Sequence, residues 1–158
     1  MKHLAKFESY DDGLFRRYHN ITDNVPTSAK ENDNDKDLID AIDNNDQSEA
    51  ERLLELGADP NYKQFSPIRH CTRKSNLDML KLLVSYGATI KHPVNMPMAW
   101  AAENGKKDMM EYMIGFGVNT GFNSIKSWIR HTTKINRDEI RDMTNYIDEL
   151  IESGKVKA

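Results

Sequence analysis

Apolar and polar positions along the chain fall into one phrase written three times. Leu53-Leu54-Glu55-Leu56-Gly57-Ala58, Leu83-Val84-Ser85-Tyr86-Gly87-Ala88 and Met113-Ile114-Gly115-Phe116-Gly117-Val118 follow one another at a spacing of 30 residues. The register extends upstream, where Leu38-Ile39-Asp40-Ala41-Ile42, Ile68-Arg69-His70-Cys71-Thr72 and Met98-Ala99-Trp100-Ala101-Ala102 stand at equal distances before their glycines. A repeat of this length is one supersecondary unit copied in tandem. Each copy predicts two short helices and a loop. Proline, in Ser66-Pro67-Ile68 and Met96-Pro97-Met98, suits a first helical turn, and glycine suits the left-handed residue after a helix end. The loops then carry Asp59-Pro60-Asn61, Thr89-Ile90-Lys91 and Asn119-Thr120-Gly121.

A fourth copy begins at Ser127-Trp128-Ile129-Arg130-His131-Thr132, echoing Ser66-Pro67-Ile68-Arg69-His70-Cys71. Its second helix is longer: Ile140, Met143, Ile147, Leu150 and Ile151 recur at helical spacing, and Glu149-Leu150-Ile151-Glu152-Ser153-Gly154 restores the closing phrase. Charged residues cover its remaining faces, as a terminal repeat requires to shield the stack from water. The repeats therefore divide as 36–65, 66–95, 96–126 and a C-terminal capping unit at 127–154. Ahead of them, residues 22–35 hold almost no apolar side chain and read as a flexible linker. Residues 1–21 carry Leu4, Phe7, Tyr10, Leu14, Phe15, Tyr18 and Ile21, which suit either a cap over the first repeat or a partner-binding arm.

These phrases resemble the ankyrin repeat. The family's Thr-Pro-Leu-His opening, Ala-Ala middle, Leu-Leu second helix and Gly-Ala-Asp-x-Asn exit match the chain position by position, best from Ser66 to Lys91 and from Met96 to Thr120. The copy from Lys36 to Asn61 lacks the proline. The resemblance implies an all-α solenoid of helix-turn-helix units over roughly Lys36 to Gly154. Because the family period is about 33 residues, a spacing of 30 implies shortened finger loops. The family's opening histidine is replaced by Ile39, Arg69 and Ala99, so its usual hydrogen bond is missing and slightly irregular stacking is expected.

Composition narrows the class. The 158 residues suit one solenoid domain, and an apolar fraction of 38% suits a thin, elongated fold. No run approaches the roughly 20 apolar residues of a membrane span, and the N-terminus lacks the apolar stretch of a signal peptide. A single cysteine, Cys71, excludes an internal disulfide and fits a reducing cytoplasm. Phosphate-loop, dinucleotide, zinc-protease and nucleophile-elbow motifs are all missing. In the ankyrin register Cys71 faces the core and His70 faces outward, so the two share no nucleophilic site. His70 and His131 lie two repeats apart, too far to chelate one metal. The reading is therefore of a non-enzyme with no cofactor and no metal.

Surface chemistry remains. Lys36 to Gln64 holds three basic and eight acidic residues, whereas Phe65 to Asn95 holds five basic and one acidic, an asymmetry hidden by the net charge of −3. In ankyrin stacks the partner usually lies along a concave face built from the outward positions of each first helix and from the fingers. Transferred to this chain, the helical positions are Asp40, Asp43 and Asn44, then His70, Arg73 and Lys74, then Trp100, Glu103 and Asn104, then His131 and Lys134, bordered by Arg69 and Arg130. The fingers add Tyr62, Lys63 and Phe65, then His92, Val94 and Asn95, then Phe122 and Asn123. Aromatics and arginine of this kind are enriched at interfaces, although Trp100 could equally pack against a neighbouring helix.

The resemblance implies a protein-binding module, an adaptor or an inhibitor acting through that face as monomer or homodimer. Short stand-alone ankyrin proteins of bacteria, phages and large DNA viruses typically grip a host or defence protein. The alternative is nucleic-acid-related: the basic residues meet phosphates, or the acidic first repeat is a decoy for a DNA-binding protein. The net negative charge argues against direct phosphate binding, which needs a concentrated basic footprint.

Overall fold

Backbone hydrogen bonding follows the 30-residue register closely. The computed structural model describes residues 32–90, 96–132 and 135–158, and only the backbone of Gln64 and Phe65. These residues form eight helices and no strand: α1 (Asp33–Asp43), α2 (Gln47–Glu55), α3 (Tyr62–Arg73), α4 (Leu77–Ser85), α5 (Met96–Glu103), α6 (Lys107–Gly115), α7 (Phe122–His131) and α8 (Arg137–Glu152). Among them no helix is long and apolar enough to cross a membrane.

Helices α2, α4 and α6 have 9 residues each and start 30 apart. Side-chain caps begin the first two. Asp46 accepts from the Glu49 N–H at 3.0 Å and Asn76 from the Met79 N–H at 2.9 Å, each satisfying an otherwise orphaned donor at about 1 kcal/mol. Gly57, Gly87 and Gly117 end all three at φ of 91°, 92° and 85°. That left-handed turn returns the next amide to the helix: Ala58 N–H reaches Leu53 O at 3.0 Å, Ala88 N–H reaches Leu83 O at 2.9 Å and Val118 N–H reaches Met113 O at 3.2 Å.

Three of the first helices, α1, α3 and α7, start earlier than the sequence suggests, whereas α5 starts at Met96, next to Pro97. Asn32 and Asp35 form a capping box that begins α1 at Asp33, so residues 33–35 are helical rather than linker. Residues 22–31 of the expected linker and the aromatic segment 1–21 lie outside the described residues. Helix α3 begins at Tyr62, which places Tyr62, Lys63 and Phe65 in its first turns instead of a finger loop. A proline inside a helix clashes with the carbonyl four residues back. For Pro67 that residue is Lys63, whose φ of 43° turns it out of helical geometry, so the regular helix begins near the proline while the turn ahead of it still coils. Helix α7 starts at Phe122, five residues before the boundary placed at 127. Phe122, Ile125 and Ile129 share its buried stripe, so Phe122 is core rather than finger.

The helices pair in chain order as α1 with α2, α3 with α4, α5 with α6 and α7 with α8, and successive pairs meet through α1 with α3, α3 with α5 and α5 with α7. One apolar core runs through them, including Leu38, Leu53, Ile68, Leu83, Met98, Met109, Met113, Phe122 and Ile147. Polar side chains tie neighbouring pairs at the loops. Asp35 accepts from the Asp59 N–H at 2.7 Å. Asn61 accepts from the Thr89 N–H at 2.7 Å and donates to Gly87 O at 3.1 Å. Glu111 fastens α8 to α6, accepting from Tyr146 Oη at 2.7 Å and from Lys155 Nζ at 2.9 Å. Those hydrogen bonds, Lys155 first, hold its carboxyl below the ordinary value. Leu56, Tyr86 and Phe116 are the large apolar residues left exposed among those described.

Candidate binding surface

The residues expected on the outward face come from the C-terminal turns of α1, α3, α5 and α7. Asn44, Lys74 and Asn104 are the three equivalent residues that follow α1, α3 and α5, and all are exposed. Asp40 and Arg73 are exposed beside them. Lys74 and Arg73 sit well electrostatically, because a helix C-terminus carries partial negative charge. Asp40 and Asp43 sit against that charge at the end of α1. The neighbouring helix compensates: His70 Nδ1 lies 2.9 Å and 3.0 Å from the two Asp43 carboxylate oxygens. A carboxylate only accepts, so Nδ1 carries the proton. The acidic end of the first repeat and the basic band of the second thus meet through a contact between side chains. Arg73, Lys74 and Asp40 make no ion pair among the described residues and remain available to a ligand.

The third repeat does not extend this surface as expected. Trp100 is 6% exposed and Glu103 is 3% exposed, so neither stands in a groove. Every residue of α5 is buried. This helix is packed by α3, α6 and α7, and its sequence Met-Pro-Met-Ala-Trp-Ala-Ala is apolar all round, which is the signature of a helix with no solvent face. The Glu103 carboxylate accepts from Thr132 Oγ1 at 2.5 Å, closing the end of α7 over α5. Only Asn104 reaches the surface, and its Nδ2 donates back to Trp100 O at 2.7 Å.

The remaining assigned residues scatter. Tyr62 is buried, while Lys63 is exposed with Nζ 5.1 Å from the Tyr62 ring centre. Arg69 is half-buried, and its Nε is enclosed without a hydrogen-bond acceptor among the described residues. Arg130 and His131 are exposed on α7, His131 with Nδ1 2.5 Å from Ser127 O. The Phe65 side chain, His92, Val94, Asn95 and Lys134 lie outside the described residues.

The single thiol lies in the core. Cys71 occupies the position of Ala41 and Ala101, fully buried, with Sγ 3.2 Å from Ile68 O. Burial pushes its thiol up to about 12, so no thiolate is at hand. Among the described residues no three histidine, cysteine, aspartate or glutamate side chains come together to hold a metal. A cavity of about 210 Å³ lies between the α5–α6 turn and α8, lined by Glu103, Asn104, Ile135 and Glu139. Its carboxylates are engaged, Glu103 with Thr132 and Glu139 with the Asn136 N–H at 2.8 Å. What the geometry offers is a polar surface spanning α1 and α3.

Leu56, Tyr86 and Phe116 are exposed without having been expected on a binding face. Each directly precedes a glycine of the closing phrase, so the signal was present in the register itself. Comparison with protein-family models finds no match for the chain, and comparison with curated proteins finds none either.

Proposed function

We propose that the chain is an ankyrin-repeat module whose activity is binding, acting as an adaptor or as an inhibitor that covers a working surface of a protein partner. The observation that carries this reading is the polar row at equivalent helix ends, with Asp40 and Asn44 beside Arg73 and Lys74, held in register by the Asp43–His70 contact. The ankyrin-like phrases, the hairpins repeating every 30 residues and the contacts between successive first helices support the scaffold half of the reading. A partner fitting this row presents a basic group to Asp40 and an acidic group to Arg73 and Lys74. The cytoplasm is the proposed place of action, in keeping with a lone, buried, reduced cysteine.

Affinity purification from the native cell, followed by identification of what co-elutes, tests the proposal. Arg73→Ala with Lys74→Ala is expected to lose the co-eluting protein while melting like wild type, and Lys81→Glu on α4 is expected to keep it. Retention by the double variant and loss by Lys81→Glu would place the interface elsewhere. Salt separates the nucleic-acid alternative: phosphate binding weakens steeply with added salt, a protein interface modestly.

A further inference from the structure

Leu56, Tyr86 and Phe116 occupy one register position, the residue that follows each of α2, α4 and α6, and they are 55%, 36% and 49% exposed. The hairpins stack in order through their first helices, which sets equivalent residues of successive hairpins along one side, and Glu51 and Glu55 of α2 lie close to Tyr86. Phe116 packs against the Tyr112 ring, their centres 4.9 Å apart.

Charge on the same helices is one-sided. Arg52 is paired with Glu49 at 2.6 Å, Lys81 with Asp78 at 3.5 Å and Lys107 with Asp142 at 2.8 Å. Every cation of α2, α4 and α6 is therefore engaged. Glu51, Glu55 and Asp108 have no ion pair among the described residues, and Glu51 and Glu55 lie close enough to help push the Tyr86 phenol above its ordinary value, after loss of solvent. The three helix C-termini at this row add partial negative charge.

We propose that the row of Leu56, Tyr86 and Phe116 is a second docking surface, distinct from the polar row of the first helices, and that its occupant is a cationic amphipathic segment of another protein. Apolar side chains of that segment cover the three exposed residues, and its lysines or arginines meet Glu51, Glu55 and the helix ends. A second copy of this chain fits poorly. A two-fold interface places the same surface on both sides, and among the described residues the unpaired charges of α2, α4 and α6 are all negative.

The test uses the full chain and two fluorescent peptides, an amphipathic helix of leucine and lysine and its leucine and glutamate counterpart, followed by anisotropy. The lysine peptide is expected to bind and the glutamate peptide not. Tyr86→Ser with Phe116→Ser, and separately Glu51→Gln with Glu55→Gln, are expected to weaken binding about tenfold each, as loss of interface anchors implies. Arg73→Ala with Lys74→Ala is expected to leave it unchanged, which separates this surface from the polar row. Binding indifferent to Tyr86→Ser with Phe116→Ser would overturn the proposal. So would a dimer in sedimentation that the same double variant dissolves, because a second copy would then be the occupant.

Discussion

The His70 imidazole, on the last turn of α3, lies 2.9 Å from the Asp43 carboxylate at the end of α1. Both residues were expected to face a partner, yet they bind each other across two hairpins. The contact offsets the misplacement of Asp43 at a helix C-terminus, where partial negative charge opposes it. Side-chain exposures of 22% for His70 and 39% for Asp43 mean that water screens the interaction. A double-mutant cycle with His70→Ala and Asp43→Ala, followed by urea unfolding, is expected to give a coupling of about 0.5 kcal/mol. Zero coupling would show that the pair adds nothing to the stacking of the first two hairpins.

Trp100 belongs to the stability of the fold. Its burial within α5 predicts that Trp100→Ala costs about 3–5 kcal/mol, the range for removing a large aromatic from a packed site. Asn104→Ala, one turn later and exposed, is expected to cost far less. Thermal unfolding distinguishes the two, and a Trp100→Ala variant melting with wild type would return the residue to the binding surface.

Second helices were the legible part of this fold, because their ends carry local chemistry. Asp46 and Asn76 supply capping oxygens, and Gly57, Gly87 and Gly117 supply the left-handed turn. First helices were less legible. Pro67 suggested a start, but the positive φ of Lys63 lets the chain coil before it, and no residue type announces that. Trp100 was misplaced by analogy with its polar counterparts Asp40 and His70, although the apolar run around it already argued for a helix without a wet face. Leu56, Tyr86 and Phe116 scan as core by periodicity. Each lies beyond the last helical residue, where the chain turns away from the core and the helical period no longer predicts direction.

Gly87 and Gly115 predict opposite outcomes for the same substitution. Gly87 has φ of 92°, and a Cβ added there meets nothing within 4 Å, so the cost of a side chain is conformational alone. Gly87→Ala is expected to destabilise by roughly 1–2 kcal/mol, since an L-residue is disfavoured in the left-handed region. Gly115 closes α6 outside that region, and its Cβ would also meet open space. Gly115→Ala is expected to stabilise by about 0.5–1 kcal/mol through the higher helix propensity of alanine and the reduced freedom of the unfolded chain. Differential scanning calorimetry reads both, and a shift of the same sign in the two variants would contradict the helix-ending role assigned to Gly87.

Cys71 gives the fold an alkaline limit. Burial raises its thiol from 9.0 to about 12, so the folded chain holds the proton while the unfolded chain releases it. The unfolded state binds fewer protons in that window, and stability therefore falls with rising pH. The contribution is whole below pH 9.0 and is lost progressively toward about 12, at up to about 1.4 kcal/mol per pH unit. Cys71→Ala places at this position the residue that stands at Ala41 and Ala101, and it removes the titrating group. Other groups titrate equally in both proteins, so the difference between their unfolding free energies across the alkaline range isolates the thiol. Wild type is expected to lose ground steadily to the variant above pH 9.0. At pH 8 a thiol reagent is expected to label unfolded chain quickly and folded chain only at the rate of opening. Parallel alkaline curves together with fast labelling of the folded protein would show the sulfur to be accessible, and Cys71 would leave the core.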